Sequence, residues 1–355
     1  MVFWRCAGKA AHSVGRVKYR FEFRRYALPF RAPVRTAHGL WAAREGVMLR
    51  LSDAAGRVGL GEAAPIAWFG TETVEEIESV CRELREEVDA ERLDAIPAGV
   101  GLLRGAIRAA HATMEGNAKL DTGAAYLPVA ALLPAGRAAL ASIGPKAEMG
   151  FRTFKWKVGV GDSGDELALL DDVIAALPSG AKLRLDANGA WDRRKAERWL
   201  ERCADRPVEF IEQPIEAGVR GADDLLLGLA NDYPTPVALD ESVTGAREVE
   251  RWLGAGWPGI FVIKPSLLGG YAEDALSRLK TAKAKVVFSS ALETAVGAQA
   301  ALRMAFGFGG EPRALGFGVW PLFEDARFDG PHLAPFIRAE DIERMNTEAV
   351  WSALS

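Results

Sequence analysis

Histidine and cysteine are scarce, with four and three copies in 355 residues. Cys6, Cys81 and Cys203 lie far apart and form no C-x-x-C pair. That excludes a disulfide framework or a thiolate metal centre and fits a reducing, cytoplasmic compartment. Neither sign of charge dominates: the net charge is −4, so nothing calls for nucleic acid or an anionic membrane as partner. No apolar run is long enough to cross a bilayer. The first residues, "MVFWRCAGKAAHSVGR" (1–16), are basic but lack the apolar stretch of a secretory signal, and read as a leader outside the fold, disordered or left by an upstream start. What remains is a soluble globular chain, long enough for one large barrel plus a smaller domain.

The first part, 17–122, reads as strands followed by helices, the pattern of an α+β domain. Residues 17–30 form a strand, and 46–65 form a hairpin turning at Asp53–Gly56. The segment 71–88 is an amphipathic helix with a threonine cap and early glutamates, and a further helix covers about 100–118. From about 127 short apolar runs alternate with helical segments: LPVAALL, FRTFKWKV, KLRLDAN, VEFIEQP, PVALDES, IFVIKPS, KVVFSSA and RALGFGV. Eight such units predict a parallel sheet closed into a (β/α)₈-type barrel over 123–320. The tail, 321–355, is irregular with a short helix near 339–353, placed to return to the first domain.

The polar residues that stand out in the barrel strands fall at or near their C-terminal ends, where a (β/α)₈ barrel carries its chemistry. Lys155 and Lys157 share one face of their strand, because side chains alternate. Asp186 and Asn188 end the next strand, Glu212 and Gln213 the next, Asp240 and Glu241 the next. Lys264 follows the sixth; Ser289, Ser290 and Glu293 follow the seventh. Asp186, Glu212 and Asp240, converging from adjacent strands, would repel without a cation, and hard oxygen ligands suit Mg²⁺. A lysine beside other cations, or buried, loses proton affinity and becomes a general base. Together the parts describe removal of a proton α to a carboxylate, with the resulting charge held by the metal; a lysine base with Mg²⁺ is the arrangement already described for enolase-superfamily sites.

The motifs "KWK" (155–157), "LDAN" (185–188), "IEQP" (211–214), "LDES" (239–242) and "IKPS" (263–266) resemble, in order and spacing, the muconate-lactonizing subgroup of the enolase superfamily. Within it, "RLDANGAW" (184–191), "SSALET" (289–294) and "GLGEAAPIAWFGTET" (59–73) are most similar to o-succinylbenzoate synthases, apart from Thr294 where that family often has serine. The resemblance implies an α/β fold: a modified (β/α)₇β TIM-type barrel with an α+β capping domain. It implies a Mg²⁺-dependent hydro-lyase, with Mn²⁺ as substitute, that dehydrates 2-succinyl-6-hydroxy-2,4-cyclohexadiene-1-carboxylate to 2-succinylbenzoate in menaquinone or phylloquinone synthesis. Lys157 would be the base, Lys155 its neighbour and Lys264 the cation over the opposite ring face. Asp186, Glu212 and Asp240 would bind metal, with Asn188, Gln213 and Glu241 behind them. Ser289, Ser290 and Arg184 would meet substrate. The expected partner is a small carboxylate, with no nucleic acid or membrane, and the protein would be a monomer or homo-oligomer.

N-succinylamino acid racemisation stays open, since it can share the site. A dipeptide epimerase is disfavoured by the absence of Asp-x-Asp between 286 and 320. A rival is an NAD-dependent oxidoreductase, because "GVGDSG" (159–164) matches G-x-G-x-x-G, with Asp186 about 20 residues further on. Capping-domain loops 32–46 and 64–72 are expected to close over the mouth, with Trp68 and Phe69 placed for ring contact and His38 and Arg44 for a carboxylate.

Overall fold

The computed structural model describes residues 18–36, 39–115, 124–310 and 313–354; the leader and His38 lie outside them. The capping domain is an antiparallel sheet of β1 (Lys18–Thr36), β2 (Gly39–Asp53), β3 (Val58–Ala63) and β4 (Glu87–Asp89), ordered β3-β2-β1-β4. The β2–β3 hairpin turns on Asp53, whose side chain accepts from the Ala55 and Arg57 amides, while Gly56 takes the left-handed φ of 77°.

Helix α1 (Val74–Glu83) starts at a full capping box between Thr73 and Glu76 and buries Val74, Ile77 and Cys81. It ends sooner than its pattern predicts. Arg85 turns left-handed at φ 56°, and Glu87–Asp89 leave to pair with Lys18–Arg20 at the sheet edge. Sheet hydrogen bonds take over where the amphipathic pattern would have continued. The short α2 (Ala90–Asp94) precedes α3 (Gly101–Met114), which packs on β3.

The barrel follows β5 (Tyr126–Pro128). Its seven parallel strands are β6 (Ala131–Leu133), β7 (Thr153–Lys157), β8 (Lys182–Asp186), β9 (Val208–Glu212), β10 (Val237–Leu239), β11 (Ile260–Ile263) and β12 (Lys285–Phe288), hydrogen-bonded in chain order. The covering helices are α4 (Ala138–Glu148), α5 (Ser163–Ala176), α6 (Arg193–Cys203), α7 (Ala222–Asp232), α8 (Ala246–Gly254), α9 (Pro265–Leu268), α10 (Ala272–Thr281) and α11 (Ala295–Phe308). In place of an eighth full strand, Leu315 and Gly316 close the cylinder by single bridges to Val129 and Ser289. Amides and carbonyls pair on both sides there: Leu315 N with Pro128 O at 2.7 Å, and Gly316 N with Phe288 O at 2.8 Å. Position 316 must be glycine, since a Cβ would sit 2.9 Å from the Ser289 Cβ.

Strand β7 explains the lysines. Phe154 and Trp156 face outward and are fully buried under the helices, so Thr153, Lys155 and Lys157 face the lumen. Below the mouth the lumen is packed with Phe210, Ala238, Ile260, Val262 and Val287, so the charges sit on an apolar floor.

The tail packs on the barrel helix α11 and also touches the capping sheet. After β13 (Phe336–Arg338), which pairs with β5, come α12 (Ala339–Glu343) and α13 (Thr347–Ala353). Arg24 of β1 donates to the Trp351 carbonyl, and its guanidinium lies 4.2 Å from the Trp351 ring centroid.

Candidate active site

In the parallel register Lys157 lies level with Asp186, and Asp186 with Glu212. Asp240 directly follows β10 and Lys264 directly follows β11. β7 and β11 stand four places apart in the strand order, hence on opposite walls of an eight-membered cylinder. The lysines of "KWK" therefore face Lys264 across a row of acids.

Lys155 Nζ sits 2.8 Å from Asp186 Oδ2 and 2.6 Å from Glu212 Oε1. Lys264 Nζ contacts Asp240 Oδ1 and lies 5.2 Å from the centroid of the Phe69 ring, which the capping domain extends over it. Burial works against the charge on Lys155, but Asp186 and Glu212 outweigh it and hold the ammonium above its ordinary range. Lys155 is thus a fixed cation. Lys264 is brought down to about 8, first by burial, while Glu212 opposes and Lys155 assists. Burial raises Glu212, and Lys155 only partly offsets it. Glu241 is raised to about 7 by burial, then by Asp186 and Glu212. The mouth holds more negative charge than its ammonium groups comfortably neutralise.

The residues behind the acids hold them in place. Gln213 adopts φ 39°, accepts from the Asp240 and Ser242 amides and donates to Ile215 O and Ser242 Oγ. Asn188, at φ 43°, donates to Glu241 Oε1 at 3.1 Å. Among the described residues no three His, Cys, Asp or Glu side chains close tightly enough to cage an ion; Lys155 and Lys264 stand against the acids instead. The donor set nevertheless fits a hard dication. It is all oxygen, it carries surplus charge, and the buried Asn188 Oδ1 and Glu241 Oε2 have no hydrogen-bond partner.

Two expected roles, those of Arg184 and Arg44, are corrected. Arg184 does not reach a substrate: it lies a layer below Asp186, 1% exposed, bound to Glu209 at 2.7 Å and to Ala314 O. Arg44 is buried and donates to the carbonyls of Ala64 and Pro65, fixing the capping loop rather than a ligand. Ser289 and Ser290 stand at the end of β12, with hydroxyls directed to Gly316 O and Glu293 respectively. Trp68 packs edge-on to Trp41 at 4.8 Å, whereas Phe69 reaches the mouth.

The dinucleotide reading fails on "GVGDSG". The amides of Gly159, Val160 and Gly161 all donate to the carboxylate of Glu166, so the anion nest is filled by the chain itself. Glu166, Glu209 and Glu62 were invisible as site supports, because each acts on a partner that spacing alone does not name.

Known proteins resemble this chain along most of its length. Residues 138–334 match the family model "Enolase C-terminal domain-like" and 19–99 match "MenC, N-terminal domain". An o-succinylbenzoate synthase of Thermosynechococcus vestitus is 41% identical over 84% of this chain and 92% of its own. The L-Ala-D/L-Glu epimerase of Bacillus subtilis is 28% identical over 81% of this chain and 84% of its own. Among solved structures, the o-succinylbenzoate synthase of Thermosynechococcus elongatus, complexed with Mg in its active site, superposes with a TM-score of 0.81 at 37% identity, covering 94% of this chain and 99% of that one. A muconate lactonizing enzyme from Pseudomonas fluorescens, 23% identical over 91% of this chain and 94% of its own, shares the fold with a TM-score of 0.75.

Proposed function

The chain belongs to the enolase superfamily, within its o-succinylbenzoate synthase branch, and from that premise we propose that it dehydrates 2-succinyl-6-hydroxy-2,4-cyclohexadiene-1-carboxylate to 2-succinylbenzoate, a step toward menaquinone or phylloquinone. The observation that carries the reading is the pair of amine-bearing walls, β7 and the end of β11, facing each other across Asp186, Glu212 and Asp240.

Asp186, Glu212 and Asp240 would hold Mg²⁺, which supplies positive charge against the carboxylate oxygens of the deprotonated substrate. Lys157 Nζ takes the ring proton α to the carboxylate. The C–H electrons become a ring double bond as the neighbouring C–OH bond breaks. The proton on Lys157 goes to the departing oxygen, so water and the aromatic product leave with no net redox change. Lys155, pinned between Asp186 and Glu212, keeps the wall beneath Lys157 cationic and ordered. Lys264 presents an ammonium to the other ring face, a role supported by its existing cation–π contact with Phe69 at 5.2 Å.

Two amines on opposite faces are more than a dehydration needs, and they favour a second reaction, racemisation of N-succinylamino acids. The buried free thiols Cys81 and Cys203 accord with a cytoplasmic enzyme. The deciding experiment measures 2-succinylbenzoate formation beside N-succinylamino acid racemisation, with EDTA and then with Mg²⁺ or Mn²⁺ restored. Dehydration that depends on the metal is expected; turnover unaffected by EDTA, or none at saturating Mg²⁺, refutes the reading.

A further inference from the structure

Glu62 lies at the end of β3, in the capping domain, yet its hydrogen bonds go mostly to the barrel. Its carboxylate accepts from the Thr294 amide at 3.0 Å, from the Gly297 amide at 2.8 Å and from the Thr294 hydroxyl. A fourth donor is the Tyr26 hydroxyl of β1 at 2.5 Å. Thr294 is the N-cap of α11, a helix of fourteen residues, so the carboxylate engages amides that the helix itself leaves unbonded. The approach requires glycine at 297: a Cβ there would stand 2.9 Å from Glu62 Oε2 and 2.8 Å from the Glu293 Cβ.

The loop ahead of that helix is folded around a second carboxylate. Glu293 accepts from Ser290 Oγ at 2.9 Å and from the Ala291 amide at 2.5 Å, and Leu292 takes a left-handed φ of 60°. Ala291 is buried in the capping domain's own apolar cluster. On the other side, Arg44 clamps the carbonyls of Ala64 and Pro65, just after Glu62, and that loop continues to Phe69 over Lys264. Other contacts already join the domains, α3 to residues 268–271 and Trp351 to Arg24 among them. Glu62 adds local order where the fold does not need more adhesion.

We infer that Glu62 is a positioning residue: its carboxylate latches the capping domain to the Ser289–Thr294 loop, so that the two walls receiving the substrate's far end are held as one. The inference rests on the proposed dehydration for its kinetic part only. Tyr26 is well suited to donate in this latch, since burial and then the Glu62 charge hold its phenol protonated well above the ordinary range.

The test uses the full chain loaded with Mg²⁺ and the variants Glu62→Gln and Thr294→Val. Glutamine keeps the shape but turns an NH₂ toward donors, and valine removes one donor, together with the N-cap acceptor of the Val296 amide, while leaving Glu62 intact. Hydrogen exchange of residues 289–297, read by mass spectrometry, is expected to quicken by about tenfold in Glu62→Gln and by less in Thr294→Val, as follows from losing hydrogen bonds to a charged group. Exchange in β7–β11 should stay unchanged. KM for the cyclohexadiene carboxylate is expected to rise about tenfold, with kcat altered by less than about threefold. Unchanged exchange in 289–297, or a loss of kcat and thermal stability with KM intact, overturns the latch. Altered exchange in a protein that makes no 2-succinylbenzoate would leave the latch standing and remove the dehydration.

Discussion

Replacing Lys155 by methionine separates the charge at the heart of the mouth from the packing around it. Methionine keeps the length of the stem and its contacts with the barrel wall. It leaves Asp186 and Glu212, 13% and 2% exposed, without the ammonium that now lies 2.8 and 2.6 Å away. At an effective dielectric of about 20, a pair of unit charges about 2.7 Å apart attracts by about 6 kcal/mol. Desolvation of the ammonium, about several kcal/mol, offsets much of the two attractions. Orphaning buried carboxylates in this way costs about 3–5 kcal/mol. Urea unfolding in EDTA should show a loss of that size. Mg²⁺ would compete with the ammonium for the same oxygens, so the variant should gain more from the metal than the parent does. At a free concentration about 100 times its Kd, a ligand bound only to the folded state stabilises by about 2.7 kcal/mol. The stability gap should therefore narrow between EDTA and saturating Mg²⁺, by the difference between the variant's gain and the parent's. An equal gap in both conditions, or a gap under about 1 kcal/mol in EDTA, would refute the view that amine and metal share these carboxylates.

Lys157→Ala and Lys264→Ala should each lower the dehydration rate by about 10²–10⁴-fold, the range for losing a positioned proton-transfer group or a preorganised charge, with circular dichroism unchanged; substantial activity in either contradicts its role. Glu166→Ala strips the acceptor from three loop amides and should cost about 1–3 kcal/mol in urea unfolding while kcat stays near the parent value; NADH binding to either protein would revive the dinucleotide reading. Burial pushes the Cys81 and Cys203 thiols up to about 12, from 9.0 when unfolded. Their protonated form is thus favoured by folding, and the stability they contribute is full below pH 9 and erodes as the pH climbs toward 12. Alkylation of the native protein at pH 8 should leave both unmodified by mass spectrometry, and labelling there would contradict their burial.

Which face of its strand each residue occupies is a local matter, and the sequence alone determined it. Alternation in "TFKWK" puts Lys155 and Lys157 on one face because Phe154 and Trp156 need the other. Carboxylates and lysines placed just after apolar runs mark the C-terminal rim, since an apolar strand interior cannot carry them. Depth and pairing were decided only by the closed barrel. Alternation sets Arg184 on the same face as Asp186, but only the register and the neighbouring Glu209 put it a layer lower, out of reach of substrate. Likewise the two lysines of one motif divide their work only because β8 and β9 bring Asp186 and Glu212 to Lys155. Helix α1 ended early because a strand partner over 60 residues upstream competed for Glu87–Asp89. Glu62 and Thr294, 232 residues apart, meet because the capping sheet docks on the seventh-strand loop. Local patterning reports what a residue can tolerate; which charge it meets is set by contacts between segments distant in the chain, and those form only when the cylinder and its cap close.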